Sequence, residues 1–321
     1  MLLAEEEPVK VLEKCFGYTS FLWKQEEIIR HVLGKKHALV VAPTGIGKSL
    51  CYQIPAIIND GLAVVISPLI ALMKDQVDAL KRRGIDAAYI NSSLGREKRE
   101  ARYAALRNGS YRIIYVTPER FRKTDFTEAL SGRHISLLAV DEAHCISEWG
   151  HDFRPDYTRI REFRQVLGNP VTIALTATAT PEVQKDIIKT LCLETGEVKM
   201  FHGGIDRPNL HLQVEKVFSN DEKLEHIISV VNKYDGNGIV YFTLIKQLNN
   251  FSDMLNEHGI SHLYYHGGLE RVQRSKVQEQ FMRGKKTLVL ATNAFGMGID
   301  KENIRFVTHA DIPGSIESYY Q

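Results

Sequence analysis

The chain has 321 residues, of which 44% are hydrophobic and 25% charged, and its net charge is only +2. That composition belongs to a soluble globular protein and excludes a disordered or fibrous chain, while the length favours two domains of ordinary size. The longest apolar runs, such as Leu62 to Met73, stop short of the roughly 20 residues that span a bilayer, so no membrane partner is expected.

The start, MLLAEEEPVK, has acids where a secretory leader has a basic end and an apolar middle. A cytoplasmic location is therefore expected, nucleoid-associated in a bacterium. Cys15, Cys51, Cys145 and Cys192 are widely separated and form no CxxC pair, so they read as reduced core thiols, and no zinc is expected.

In chain order, HALVVAP (37–43), LAVVISP (62–68), YRIIYVT (111–117), SLLAVDE (136–142) and VTIALTAT (171–178) read as strands, each followed by an amphipathic segment. Near-continuous Val, Ile and Leu runs imply burial on both faces, hence an α/β fold with a mostly parallel sheet. Ligands then belong at the C-terminal ends of the strands. GGIDRPN (203–209) breaks the rhythm and marks the domain boundary.

A second alternation follows: the strands NLHLQVEKV (209–217), GIVYFT (238–243), HLYYHG (262–267), KTLVLAT (286–292) and IRFVTHAD (304–311). Between them lie the helical patterns 221–233, 245–259 and 269–284. Another parallel sheet is expected there.

After the first strand comes APTGIGKSL (42–50), with a helix expected to start near Gly47. Gly45 and Gly47 allow backbone amides to converge on phosphate oxygens, Lys48 reaches the β and γ phosphates, and the Ser49 hydroxyl suits Mg²⁺. Ala42 stands where the common pattern has glycine. ATP or GTP binding follows.

The strand SLLAV delivers Asp141 and Glu142 at the same sheet edge. Asp141 suits a Mg²⁺ contact, and Glu142 suits polarising the water that attacks the γ-phosphate. His144 is a candidate for coupling this site to a neighbour. Cys145 reads as a packed thiol that does not face His144, and the HLYYH spacing of His262 and His266 reads as a strand rather than a metal site. Between Gly95 and Lys123, nine Lys or Arg outnumber three Asp or Glu. Arg96, Lys98, Arg99 and Arg102 read as a solvated helix face.

These motifs, in this order, resemble superfamily 2 helicases, and DEAHCISEWGHDFRPDY (141–157) makes the resemblance one to the RecQ family of DNA helicases over nearly the whole chain. Further matches are FGYTSFLWKQEEII (16–29), SPLIALMKDQV (67–77), YVTPERF (115–121), ALTATAT (174–180), YYHGGLE (264–270) and ATNAFGMGIDKENIRFV (291–307). The resemblance implies two tandem RecA-like P-loop domains, 1–206 and 207–321, the second incomplete at its C-terminus.

It also implies site roles. Thr44, Gly45, Ile46, Gly47, Lys48, Ser49 and Leu50 would hold the nucleotide, Tyr18 would stack on adenine and Gln25 would hydrogen-bond its edge, favouring ATP. Leu22, Trp23 and Lys24 replace the family's arginine-proline-glycine, which implies a weaker hold on the base. Thr176 and Thr178 would relay nucleotide state between the domains. Ser67, Pro68, Arg120, His266 and Thr292 would meet the nucleic-acid backbone, while Trp149, Phe153 and Arg154 would sense single-stranded DNA by stacking and cation contacts. Tyr157 reads as packing.

The implied activity is ATP-dependent 3′ to 5′ unwinding of DNA in recombination and repair, by a monomer acting on single-stranded, branched or partial duplex DNA. The family's next motif, which carries an arginine finger, would begin at Gln321. Such fingers contribute on the order of 10³ to 10⁵ in rate, so poor hydrolysis by this chain alone is the expectation. An RNA helicase or remodeller and a non-catalytic ATP-dependent DNA-binding module are the alternatives.

Overall fold

A computed structural model describes residues 7–147, 153–194, 196–204, 209–296, 299, 301–314 and 319. Trp149, the boundary at 206/207 and Gln321 lie outside them. The chain divides into two compact units, one running to Pro208 and the other from Asn209 to Tyr320.

The first unit runs α1 (Pro8–Val11), α2 (Gln25–Leu33), β1 (His37–Val41), α3 (Leu50–Ile58), β2 (Leu62–Ile66), α4 (Ile70–Arg82), β3 (Ala87–Ile90), α5 (Arg96–Arg107) and β4 (Ile113–Val116). It continues with α6 (Thr124–Leu130), β5 (Ile135–Val140), α7 (Ile160–Val166), β6 (Val171–Thr176), α8 (Pro181–Thr190) and β7 (Val198–His202). All seven strands are parallel, in the order β3-β4-β2-β5-β6-β1-β7.

The period-2 alternation of a strand explains the two cores. Leu62, Val64 and Ile66 of β2 join the apolar cluster on one face, while Ala63 and Val65 join the cluster on the other. Every residue of β2, β4 and β5 is buried. Helices cover both faces, and the strand C-termini are left to carry polar chemistry. Along that edge, in sheet order, stand Thr117, Ser67, Asp141, Thr176 and the loop after β1.

The second unit carries α9 (Asn220–Lys233), β8 (Asn237–Tyr241), α10 (Ile245–Glu257), β9 (Leu263–Tyr265), α11 (Arg271–Arg283), β10 (Leu288–Ala291) and β11 (Ile304–His309). Its four strands are parallel in the order β11-β8-β10-β9. Ser219 caps α9 by accepting the Glu222 amide at 3.1 Å, and Glu270 and Gln273 form a capping box on α11.

Three expectations differ. Residues 211–217 join no sheet, and the alternating Leu210, Leu212 and Val214 stay exposed. The pattern supplies one apolar face but cannot supply a neighbouring edge. Two strands lacked a legible signal: β3 is short and alanine-rich, and β7 buries only Val198 and Phe201. Helix α3 begins at Leu50 rather than near Gly47, because the loop's glycines occupy left-handed conformations.

Candidate nucleotide-hydrolysis site

The loop after β1 turns on Gly45 and Gly47, at φ +93° and +75°, a region that disfavours any residue with a Cβ. Lys48 Nζ donates back to the carbonyls of Ala42 (2.8 Å) and Pro43 (3.2 Å), closing the loop on itself. Thr44 and Gly45 are exposed, and Ile46, Gly47, Lys48, Ser49 and Leu50 are half-buried. Ala42 is fully buried, and a Cβ on Gly203 would fall 2.8 Å from its methyl group. The glycine absent from the loop's first position is thus matched by one after β7.

Gln25 is tied to the phosphate loop. It is 2% exposed, its Nε2 donates to the carbonyls of Ile46 (2.9 Å) and Gly47 (3.0 Å), and its Oε1 accepts the Leu22 amide at 2.8 Å. Both Nε2 protons are thus committed to the loop, while Oε1 keeps a second acceptor lone pair. A Cβ on Gly47 would fall 2.5 Å from that Nε2, so the latch and the glycine require each other. Tyr18 is 53% exposed and open to stacking.

Asp141 and Glu142 leave β5 together but point into different surroundings. Burial raises the Asp141 carboxyl above its ordinary range, and the nearby Lys48 charge pulls it back. Glu142 adopts a left-handed backbone (φ 49°, ψ 48°) that places its Oε2 3.4 Å from His144 Nδ1.

His144 is 1% exposed, and its neighbours fix its tautomer. Thr176 Oγ1 donates to the Thr178 carbonyl at 3.0 Å, so it must accept from His144 Nδ1 at 2.9 Å. Nδ1 therefore carries the proton, and the Nε2 lone pair faces the Cys145 thiol at 3.6 Å. Cys145 is buried as expected, but it does face its neighbour, because the turn after Glu142 is helical rather than extended. The Thr178 hydroxyl is enclosed without a hydrogen-bond partner.

Replacing Thr176 with valine removes both bonds at a fully buried position. Stability is expected to fall by about 1–3 kcal/mol, read as a lower urea midpoint. An unchanged midpoint would show that the relay contributes nothing to the fold.

The remaining residues divide sharply. Ser67 (1% exposed) and Pro68 are buried at the sheet edge. Arg154 Nη1 donates to the Pro68 carbonyl at 3.3 Å. Phe153 is half-buried. Tyr157 is fully buried, which fits packing, but its hydroxyl also donates to the Asp141 carbonyl at 3.3 Å, a tie that its sequence context did not signal.

Arg120 is half-buried in the turn Pro118–Arg122, where Arg122 pairs with Asp156. On α5, Arg96 pairs with Glu100 at 2.7 Å and Arg102 lies 4.2 Å from the Tyr89 ring centroid, so the basic run is a mixed surface. In the second unit, β9 pairs with β10 and brings His266 and Thr292 to adjacent strand ends. His266 Nδ1 is enclosed without a partner, and the ring stacks on Tyr264 at 6.1 Å. His262 is satisfied by Ser252 and Ile260, at 2.7 and 2.8 Å.

The cysteines are not uniformly core residues. Cys51 and Cys145 are buried, Cys15 is half-buried, Cys192 is exposed, and none is in a disulfide. Burial pushes the Cys51 thiol up to about 12, so beside the phosphate loop it is a packing group and not a nucleophile.

A hydroxyl and a half-buried carboxylate are hard oxygen donors, and a carboxyl raised by desolvation is stabilised in its charged form by a divalent cation. Ser49 and Asp141 therefore fit Mg²⁺. Among the described residues no group of three or more His, Cys, Asp or Glu is placed to hold a metal ion.

Comparisons with known proteins agree with this geometry. Residues 24–187 match the family described as DEAD/DEAH box helicase, and residues 221–321 match the helicase conserved C-terminal domain. The chain is 45% identical to the ATP-dependent DNA helicase RecQ of Bacillus subtilis over 313 residues, covering 97% of this chain and 52% of that protein. It is 44% identical to the ATP-dependent DNA helicase RecQ of Haemophilus influenzae, covering 98% and 50%. The chain thus spans about half the length of the curated relatives it matches.

Among solved structures, Mycobacterium smegmatis helicase Lhr bound to ssDNA and AMP-PNP superimposes with a TM-score of 0.74 at 19% identity, covering 100% of this chain and 46% of that one. The DEAD-box helicase Mss116 bound to ssRNA and UDP-BeF gives 0.76 at 18% identity, covering 100% and 71%. These two likenesses establish the fold, two tandem RecA-like domains with parallel sheets of seven and four strands. With the phosphate loop, the paired acids and the ordered motifs, they place the chain among the DEAD/DEAH box helicases, where its homologues are ATP-dependent DNA helicases of the RecQ family.

Proposed function

We propose that the chain is the motor portion of an ATP-driven DNA helicase that moves 3′ to 5′ on single-stranded DNA and opens partial or branched duplexes in recombination and repair. A cytoplasmic monomer is the corresponding form. One observation carries the reading: the segment that follows the acids is fastened at its exit to the hydrolysis site. Tyr157 holds the Asp141 carbonyl, and Arg154 holds the carbonyl of Pro68 in the segment assigned to nucleic acid. A ligand that displaces Phe153 would pull on both.

Within the site, the loop amides and Lys48 bind and orient the phosphates, and Ser49 and Asp141 hold Mg²⁺. The cation, when bound, neutralises charge that develops on the phosphate oxygens. Glu142 accepts the proton of the attacking water. His144, with Nδ1 committed to Thr176, carries any shift of the acids to the Thr176–Thr178 segment at the next strand.

The test compares ATP hydrolysis with single-stranded DNA and with single-stranded RNA, for the wild type and Trp149→Ala. Stimulation by DNA alone is expected, on the low rate proposed for this chain by itself, and it should weaken as salt rises because the contacts fall on phosphates. Trp149→Ala is expected to keep ATP binding within about threefold, small on the affinity scale, and to lose stimulation. Stimulation by RNA alone would favour the remodeller, and DNA binding without turnover would favour a non-catalytic module.

A further inference from the structure

The TPERF segment and the segment behind the acids meet in one ion pair for which the hydrolysis site, as described, has no use. Arg122 closes the turn Pro118–Arg122 that follows β4, and Asp156 lies in the turn Pro155–Arg159. Their side chains pair, that of Arg122 48% exposed and that of Asp156 21%. Both turns are otherwise anchored. Phe121 is buried and stacks on Phe163 of α7, with ring centroids 4.3 Å apart. On the other side, Tyr157 donates to the Asp141 carbonyl and Arg154 to the Pro68 carbonyl, at 3.3 Å each. The pair thus joins two seated turns through side chains that water can reach.

The pairing itself is incomplete. Asp156 Oδ1, the atom that faces the guanidinium, is enclosed and accepts no hydrogen bond, so the contact is one of charge without an aligned N–H. A guanidinium carries five N–H donors in a planar fork that fits two oxygens of one phosphate. A single carboxylate oxygen met out of alignment uses little of that fork, and exposed pairs contribute little. Two parallel charge-assisted bonds to a phosphate are the stronger arrangement.

The charge of the turn points the same way. PERFRK (118–123) carries Arg120, Arg122 and Lys123 against Glu119 alone, and both Arg122 and Lys123 are exposed. Resting on the DNA-motor reading above, we propose that Arg122 is a phosphate contact held in reserve by Asp156. A backbone phosphate arriving at the turn takes the guanidinium from the carboxylate, and the segment behind the acids then loses its tie to TPERF. Asp156 acts only through Arg122 and is a positioning residue.

The test is the affinity of the whole chain for a fluorescent single-stranded DNA oligonucleotide of mixed sequence, read by anisotropy over a range of salt. It compares the wild type, Asp156→Asn, Arg122→Gln and the double variant. Asp156→Asn is expected to tighten binding about two- to fivefold, the scale of one exposed pair released. Arg122→Gln is expected to weaken binding and to lower the slope of log affinity against log salt by about 0.7, the share of one phosphate on a single strand. In the Arg122→Gln background, Asp156→Asn is expected to add nothing, because the carboxylate acts through the guanidinium. Arg122→Lys keeps the charge and is expected to keep the salt slope.

A gain from Asp156→Asn that persists in Arg122→Gln would be the general effect of removing a negative charge, and would overturn the proposal. So would an unchanged affinity in Asp156→Asn or an unchanged salt slope in Arg122→Gln. In each of these cases the chain still binds DNA, and the motor reading stands. No binding of the oligonucleotide by the wild type would defeat the motor reading and the proposal with it.

Discussion

Lys48→Ala is expected to lower ATP hydrolysis by about 10²–10³-fold, the range for removing one preorganised charge-stabilising donor. ATP affinity is expected to fall about ten- to a hundredfold, as befits a hydrogen bond to a charged group. Lys48 now donates to the carbonyls of Ala42 and Pro43, at 2.8 and 3.2 Å, so the ammonium is already held over the loop's mouth. A phosphate that arrives there exchanges two neutral acceptors for charged ones. Removing the ammonium also withdraws the charge that offsets Asp141's burial, so both halves of the site are weakened by one change. Lys48→Arg keeps the charge but replaces a compact point charge with a planar fork, and is expected to recover little. Hydrolysis within tenfold of wild type in Lys48→Ala, measured by steady-state phosphate release, would refute the assignment of this loop.

The parts of the fold legible in sequence are those where burial is two-sided. β1, β2, β4, β5 and β6 read as strands because both faces of each carry apolar residues, and the helix patterns at 221–233, 245–259 and 269–284 coincide with α9, α10 and α11 except for a residue or two at their ends. β7 was illegible because an edge strand needs only a few buried residues, here Val198 and Phe201. Residues 209–217 fail in the opposite sense, since Leu210, Leu212 and Val214 show a strand's alternation without a sheet edge to join. Local pattern reports which faces are apolar; pairing is a non-local fact.

The same limit runs through the site. Residue type and spacing were enough to single out Gly45, Gly47, Lys48, Ser49, Asp141 and Glu142, because phosphate and metal chemistry demands those groups after buried strands. The contacts Gln25 makes to carbonyls 21 and 22 residues away are not legible in its own segment. Nor is the bond from Arg154 to a carbonyl 86 residues away. A side chain with two or more donors suits many partners, and only the folded chain selects among them.

Glu142→Gln is expected to separate binding from chemistry more cleanly than any other change. Glutamine preserves size, and the backbone at this position stands at φ 49° and ψ 48°. The substitution removes the negative charge and with it the ability to take a proton, and replaces one acceptor oxygen with an N–H donor. ATP affinity is expected to stay within about threefold of wild type, while hydrolysis falls about 10²–10⁴-fold, the usual contribution of a positioned general base. The relay should survive, because His144 Nδ1 bonds to Thr176 at 2.9 Å and only approaches Glu142 at 3.4 Å. The variant should therefore retain nucleotide-dependent DNA binding and accumulate in its ATP-bound form. Single-turnover hydrolysis beside equilibrium binding makes the comparison. Asp141→Asn is the contrast: its loss should appear in the Mg²⁺ dependence of binding, since that carboxylate is half-buried in the field of Lys48. If the two substitutions instead behave alike, the division of labour between the paired acids is wrong, and the proton of the attacking water goes elsewhere.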